Sequence, residues 1–335
     1  MSPRILVAGA TGAVGGELVR HLRARGADVT GVSSRGAPGQ CAWRIGSEPA
    51  PRELRDTSWD VIVNSAADTR WNLPADRAEA ANVGPTNALL DLADEHTHFL
   101  QLSTTFAAGL RGDGASAEPA DYRNTYEWSK AWAERTASAR HARTDVVRFP
   151  MVMGRRTDGA IDRFSGLFWI VSGLCSGVIP AVVGVKDAYV EIVAADDLAA
   201  WITDTVYAGP PEEPRTSVLG RGADAPRVGE MFDLTVEGLN SWRVPRGASA
   251  LSTPPFVTPE AWNRFHLPFA RETLSRVQLR RVEMYAAYQV YLAIEAPIGC
   301  THVMPDPADS IRSSQVYWAE NNARAASAEP KAWTG

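Results

Sequence analysis

The sequence predicts an α/β chain: a doubly wound parallel sheet with a smaller C-terminal lobe. Three observations point there. Short apolar runs alternate with helical patterns through the first half, the signature of βαβ units. A glycine-rich turn, "GATGAVGG", follows the first apolar run and opens an amphipathic segment. After Gly154 the alternation stops, so the remainder is expected to be built differently.

In order, strands are expected at "RILVAG" (4–9), "DVTGVSS" (28–34), "WDVIVNSA" (59–66), "HFLQLST" (98–104) and "TDVVRFP" (144–150), with a weaker one at "CAWRIG" (41–46). Helices fall between them over 13–25, about 75–95 and about 124–140. Past the break, "AYVEIVAADDLAAWITDTVYAG" (188–209) reads as a strand leading into a helix, and "TSVLGRG" (216–222) as another strand. A helical run follows from about 270 to 296. The expected division is therefore a sheet domain of 1–154 plus about 188–221 and a lobe of about 155–187 and 222–320. The Ala-rich end, 321–335, reads as a frayed tail. The aromatic residues of the lobe (Trp169, Trp242, Phe256, Trp262, Phe265, Phe269, Tyr285, Tyr288, Tyr291) either line a pocket or form its core.

Bulk properties narrow the function. With 335 residues and a net charge of −5, the chain can bury a large core and has no general pull on nucleic acid or an anionic membrane. Three scattered cysteines, Cys41, Cys175 and Cys300, form no CxxC or Cys/His cluster, so no metal is expected and the compartment reads as a reduced cytoplasm. The first residues lack the pattern of a signal peptide. Residues 164–185 carry no charge and could span a bilayer by length. Their four glycines, one proline and three serines favour a buried helix, a turn and a strand.

The glycine turn is the first chemical signal. Gly9, Gly12 and Gly15 stand in a GxxGxxG pattern after a strand and before a helix. The first allows the tight turn, the second lets a pyrophosphate approach bare backbone, and the third permits close helix–sheet packing. Thr11, Ala13 and Val14 complete the loop, and the helix start presents free N–H groups and partial positive charge to phosphates. A Rossmann-type dinucleotide site is therefore expected. The second strand ends in Ser33, Ser34 and Arg35, with no acid for a ribose 2′-hydroxyl. Hydroxyls and a guanidinium suit a 2′-phosphate instead, so NADP(H) is the expected cofactor.

Tyr126 and Lys130, in "NTYEWSKAWAE", lie four residues apart and share a helix face. Alone, such a pair is ordinary surface chemistry. In order along the chain, however, stand GxxGxxG (9–15), "NSAADT" (64–69), "NVGPT" (82–86), "LSTT" (102–105), YxxxK (126–130) and "VRFPMVMG" (147–154). This series resembles the extended short-chain dehydrogenase/reductase superfamily. "AADTRWN", "ANVGPTNALLDLA", "LSTT" and "YEWSKAWAE" are most similar to its male-sterility branch, which holds fatty acyl-CoA reductases and thioester reductase domains.

The resemblance implies catalytic roles. Tyr126 is the expected proton donor to the developing alkoxide, Lys130 the cation that lowers its pKa and binds the nicotinamide ribose, and Thr104 the holder of the substrate oxygen, with Thr105 beside it. Ala66 and Ala67 would let the cofactor cross the sheet edge, and Phe149, Pro150 and Met151 would border it. Asn82 sits where relatives carry an asparagine, in a functional or a capping role, and Asp197 matches the acid that opens a late helix. Arg70, Trp71, Arg155 and Arg156 fall just past strand ends and are candidates for meeting an anionic group. Two departures stand out: Ser47 and Glu48 stand where relatives often carry an Asp that meets adenine, and Pro150 comes one place late after Arg148.

The expected function is an NADPH-dependent reduction of a carbonyl. The substrate would be an acyl thioester, carrier- or CoA-bound, or the derived aldehyde or ketone. Small-molecule or carrier-bound substrates are the expected partners, with a homodimer left open. The alternatives are an NAD-dependent nucleotide-sugar epimerase or dehydratase, and a non-catalytic NADP(H) sensor.

Overall fold

The computed structural model describes residues 2–331 and Trp333. The chain begins with β1 (Arg4–Ala8), α1 (Ala13–Ala24), β2 (Asp28–Ser33), β3 (Gln40–Ala42), α2 (Arg52–Arg55) and β4 (Val61–Asn64). It continues through α3 (Ala75–Leu90), β5 (His98–Thr104), α4 (Thr125–Arg140), β6 (Thr144–Phe149) and β7 (Met151–Met153). Then come α5 (Leu167–Ser176), β8 (Val182–Val183), β9 (Ile192–Ala194), α6 (Ala195–Ala208), β10 (Arg215–Gly220) and α7 (Val228–Arg243). The last elements are β11 (Phe256–Val257), α8 (Pro259–Ala261), α9 (Leu267–Thr273), α10 (Arg276–Ala286), β12 (His302–Val303), α11 (Ala308–Asn321) and α12 (Ala323–Ala326).

Two compact units result. The first contains residues up to Val152, Ala195–Gly220 and Cys300–Met304. Its sheet has the order β12-β10-β6-β5-β4-β1-β2-β3, with every pairing parallel. Parallel strands are covered on both faces, which is why β1 reads as a continuous apolar run: Ile5, Leu6, Val7 and Ala8 are all fully buried. The order reverses between β1 and β4, and ligands bind doubly wound sheets at the carboxyl ends of strands flanking such a reversal. The amino end is closed by polar pairing instead. Burial works to raise the Asp145 carboxyl, but hydrogen bonds from His98 (2.8 Å) and Arg215 (2.7 Å) hold it below the usual range.

The first-half strands lie where the alternation put them, with two adjustments. The weak strand is only Gln40–Ala42, and the α3 helix stops at Leu90, where residues 91–92 leave it in a turn.

The second unit contains Met153–Ala194, Arg221–Gly299 and the residues from Pro305 onward. Its centre is the packing of α7 on α11, where a Cβ on Gly238 would meet the Arg312 carbonyl oxygen at 2.6 Å. The uncharged segment of 164–185 forms α5, a turn at Gly177 in the left-handed region (φ 73°) and β8, which pairs with β11. Among the described residues, no helix is long and apolar enough to cross a membrane.

Of the stretch 321–335, expected as a frayed tail, residues 332, 334 and 335 lie outside the described residues, while the part before them is partly ordered by packing. Residues 323–326 form α12, and the wholly buried Arg243 donates hydrogen bonds to the carbonyls of Ala326 and Ala328. Lys331 N–H also bonds the Ser176 carbonyl at 3.2 Å. A guanidinium is buried only where acceptors satisfy its donors, and here the end of the chain provides them.

Candidate active site

Helix α4 is set up by its own first residues. The Asn124 side chain accepts from the Glu127 N–H at 3.0 Å, while the buried Glu127 carboxylate accepts from the Arg123 N–H at 3.2 Å. Thr125 Oγ1 donates to the Leu73 carbonyl at 2.8 Å, fixing the helix start against the loop before α3. Tyr126 therefore lies in the first turn and Lys130 one turn later on the same face.

Lys130 is buried and its Nζ donates to the Leu102 carbonyl at 2.6 Å, next to the β5 end that carries Thr104. Burial lowers the ammonium to about 8, with the Glu134 carboxylate one turn on pulling the other way. Glu134 is itself held by Arg148 of β6 in a two-pronged pair, with contacts of 3.0 and 2.7 Å. Tyr126 differs from the expectation. Burial, reinforced by the Glu127 charge, pushes its phenol above the usual tyrosine range rather than below it. A phenol that stays protonated is suited to giving up a proton to an alkoxide, a much stronger base.

Asn82 of α3 has a positioning role rather than a helix-capping one. Its Nδ2 donates to Ser129 Oγ at 2.8 Å, and its Oδ1 accepts from the Asp68 N–H at 2.8 Å. It thus ties the loop after β4 to the residue preceding Lys130. Beneath it, Asn64 Nδ2 donates to Gln101 Oε1 at 3.0 Å and to Thr86 Oγ1 at 3.1 Å, locking α3 to β4 and β5.

The carboxyl ends of the strands also bring together the glycine turn and the small residues expected beside it. Gly9 adopts φ 77°, and a Cβ there would lie 2.8 Å from the Ala66 nitrogen. A Cβ on Gly15 would lie 2.3 Å from the Gly9 oxygen, so only glycine lets α1 begin this close to the turn. Among the described residues no side chain caps α1 at Gly12, which leaves the first-turn N–H groups of Ala13, Val14 and Gly15 for an anion. Thr11 is exposed at the turn, and Ala67 is exposed beside the half-buried Ala66.

At the end of β2, Ser33 is buried with an unpartnered Oγ, Ser34 is exposed, and the exposed Arg35 has no partner among the described residues. A bare backbone cradle and an orphaned hydroxyl fit a dinucleotide. Phe149 pairs in register with Thr104 at the neighbouring strand end, followed by buried Pro150 and half-buried Met151. Thr104 Oγ1 accepts from the Phe106 N–H at 3.4 Å, while Ser103 Oγ and Thr105 Oγ1 are buried without partners among the described residues.

Other expected residues are engaged elsewhere. Arg70 is paired with Asp68 and Arg155 with Asp158, while Arg156 donates to the Asp306 carbonyl. The Trp71 carbonyl accepts from Thr125. Asp196 and Asp197 open α6, where acids complement the helix dipole. Sequence reasoning passed over the Glu134–Arg148 pair. Its signal was the i, i+4 spacing from Lys130 to Glu134.

The sheet order and the glycine turn at its switch point define a doubly wound, Rossmann-like α/β fold. Residues 45–202, just under half of the chain, match the family model described as "Male sterility protein". The match takes in "LSTT" and YxxxK but begins after the glycine turn. A search of curated proteins finds no match.

Solved structures share the fold. The terminal R domain of the myxalamid PKS-NRPS biosynthetic pathway has a TM-score of 0.70 at 18% identity, covering 96% of this chain and 92% of that one. A thiolation-reductase di-domain from an archaeal non-ribosomal peptide synthetase has a TM-score of 0.66 at 14% identity, covering 97% and 76%. WbmH of Bordetella bronchiseptica, solved with NAD+, has a TM-score of 0.65 at 14% identity, covering 96% and 99%.

Proposed function

We propose that the protein is a cytoplasmic NADPH-dependent reductase acting on an acyl thioester, carrier- or CoA-bound, or on the derived aldehyde or ketone. The observation that carries this reading is the Tyr126–Lys130 face of α4, with Lys130 fastened to β5 beside Thr104. The thioester is favoured by the match to the male sterility family and by the likeness to an R domain and a thiolation-reductase di-domain. NADPH is favoured by Ser33, Ser34 and Arg35 at the β2 end, where no carboxylate would repel a 2′-phosphate.

In this reading the first turn of α1 and the backbone of Gly9–Gly15 hold the pyrophosphate, and Arg35 grips the 2′-phosphate. The bound cofactor supplies the hydride. Thr104 holds the carbonyl oxygen, Tyr126 gives its phenolic proton to that oxygen as negative charge develops, and the Lys130 ammonium stabilises the phenolate left behind. Asn82 and the Glu134–Arg148 pair keep α4 in register with β5 and β6.

The test is NADPH consumption with a panel of acyl thioesters and the matching aldehydes. Oxidation with a thioester supports the whole reading. Turnover on aldehydes alone removes the thioester, and stoichiometric NAD retained without net oxidation favours the epimerase or sensor alternative.

A further inference from the structure

Within the second unit, α5, α10 and α11 enclose a recess of about 210 Å³. Its wall is mostly apolar, formed by Phe168, Ile170, Ile179, Tyr285 and Trp318. Gly173 shapes one side: a Cβ there would lie 2.3 Å from Ile179 Cδ1, so this glycine lets the chain after α5 fold back against the helix. At the recess stand Trp169, 55% exposed, and Met284, 43% exposed. Large apolar side chains at one opening present a surface that water wets poorly and an apolar guest would cover.

The polar groups are few. Asn322 uses its Nδ2 on the Trp318 carbonyl at 2.9 Å, while the Arg281 guanidinium has no hydrogen-bond or ion-pair partner among the described residues. A mostly apolar, aromatic-rich wall with a few placed polar groups is the usual composition of a small-ligand site.

We propose that this recess binds a small amphipathic anion, with a single aromatic ring or a medium-length alkyl chain inside and its charged head on Arg281. Size selects the guest. An apolar cavity of roughly 150 Å³ accepts benzene, so a recess of about 210 Å³ has room for a ring with a short side arm. Charge selects the head, because an unpaired guanidinium favours carboxylate or phosphate over a neutral end. The inference does not rest on the reductase reading, since it concerns binding alone.

The experiment is calorimetry on the full chain with four probes: 3-phenylpropanoate, octanoate, octyl phosphate and octanol. One-to-one binding of the anions, at least tenfold tighter than octanol, is expected. Octanoate against octyl phosphate decides which head the site prefers. Arg281→Ala, an exposed position, should erase the preference for anions while leaving octanol binding unchanged. Ser172→Phe, which fills the recess, should abolish binding of all four with the far-UV spectrum intact. The proposal is overturned if wild type binds none of the probes at millimolar concentration, or if Arg281→Ala leaves the anion preference in place.

Discussion

The Tyr126–Lys130 region and the α5–α10–α11 recess hold their side chains by opposite means. Around α4 several buried polar groups are each fixed by a specific partner: Lys130 by Leu102, Glu134 by Arg148, Asn82 by Ser129 and Asp68. Such pairings hold atoms to a fraction of an ångström and make each partner costly to remove. In the recess, aromatic faces and a glycine do the shaping, and Arg281 stands unpaired among the described residues. The first construction suits a reaction that needs fixed geometry. The second suits a surface that need only exclude water and accept a shape.

The largest expected effect is at the centre of the first region. Tyr126→Phe keeps the ring and its packing but removes the only proton the proposed mechanism draws from α4. Turnover of NADPH should fall by about 100- to 10,000-fold, with cofactor affinity unchanged by fluorescence titration. Turnover at the wild-type level would remove Tyr126 as proton donor.

Next is the Arg148–Glu134 pair, where side-chain exposures of 13% and 6% make the charges hard to strand. Arg148→Met leaves Glu134 buried without its cation and should cost about 3–5 kcal/mol in urea unfolding. Adding Glu134→Leu removes the stranded charge, so the double variant should recover most of the loss. A double variant no more stable than Arg148→Met would mean that packing, not charge pairing, ties α4 to β6.

A smaller effect is expected at Arg35, on the exposed end of β2. Arg35→Ala should weaken NADPH by about 1.5–3 kcal/mol, the range for hydrogen bonds to charged groups, and leave NADH nearly unchanged. Equal losses for the two would show that Arg35 does not meet the 2′-phosphate.

The two constructions also differ in how far the sequence reveals them. The β1–α1 turn, the LSTT strand end and the YxxxK helix are local spacings, and helix or strand period turns spacing directly into shared faces. The order of strands followed from βαβ alternation for the same reason. The recess draws residues from 164 to 325 that only packing brings together, and among the lobe's aromatics nothing local separates the lining Trp169 and Tyr288 from the core Trp262. The α12 helix within the expected tail was not legible because Arg243, some 80 residues earlier, holds its carbonyl end. The phenol of Tyr126 was misjudged for a related cause: its pKa depends on how much of it is buried, and Lys130 directs its Nζ to a backbone carbonyl of β5.

The smallest effect concerns stability and carries a definite sign. Lys130 has an ordinary value of 10.5 and is lowered to about 8 in the fold, chiefly by burial. Between these values the unfolded chain holds the proton while the folded chain has released it. Stability therefore rises with pH through that window, and the contribution is lost as pH falls toward about 8. Lys130→Met removes the titration. Its stability relative to wild type should decline by about 1–3 kcal/mol as the pH is raised through that interval, followed by urea unfolding at each pH. A difference independent of pH would mean that Lys130 keeps its ordinary value in the fold, its ammonium being solvated by groups other than the Leu102 carbonyl.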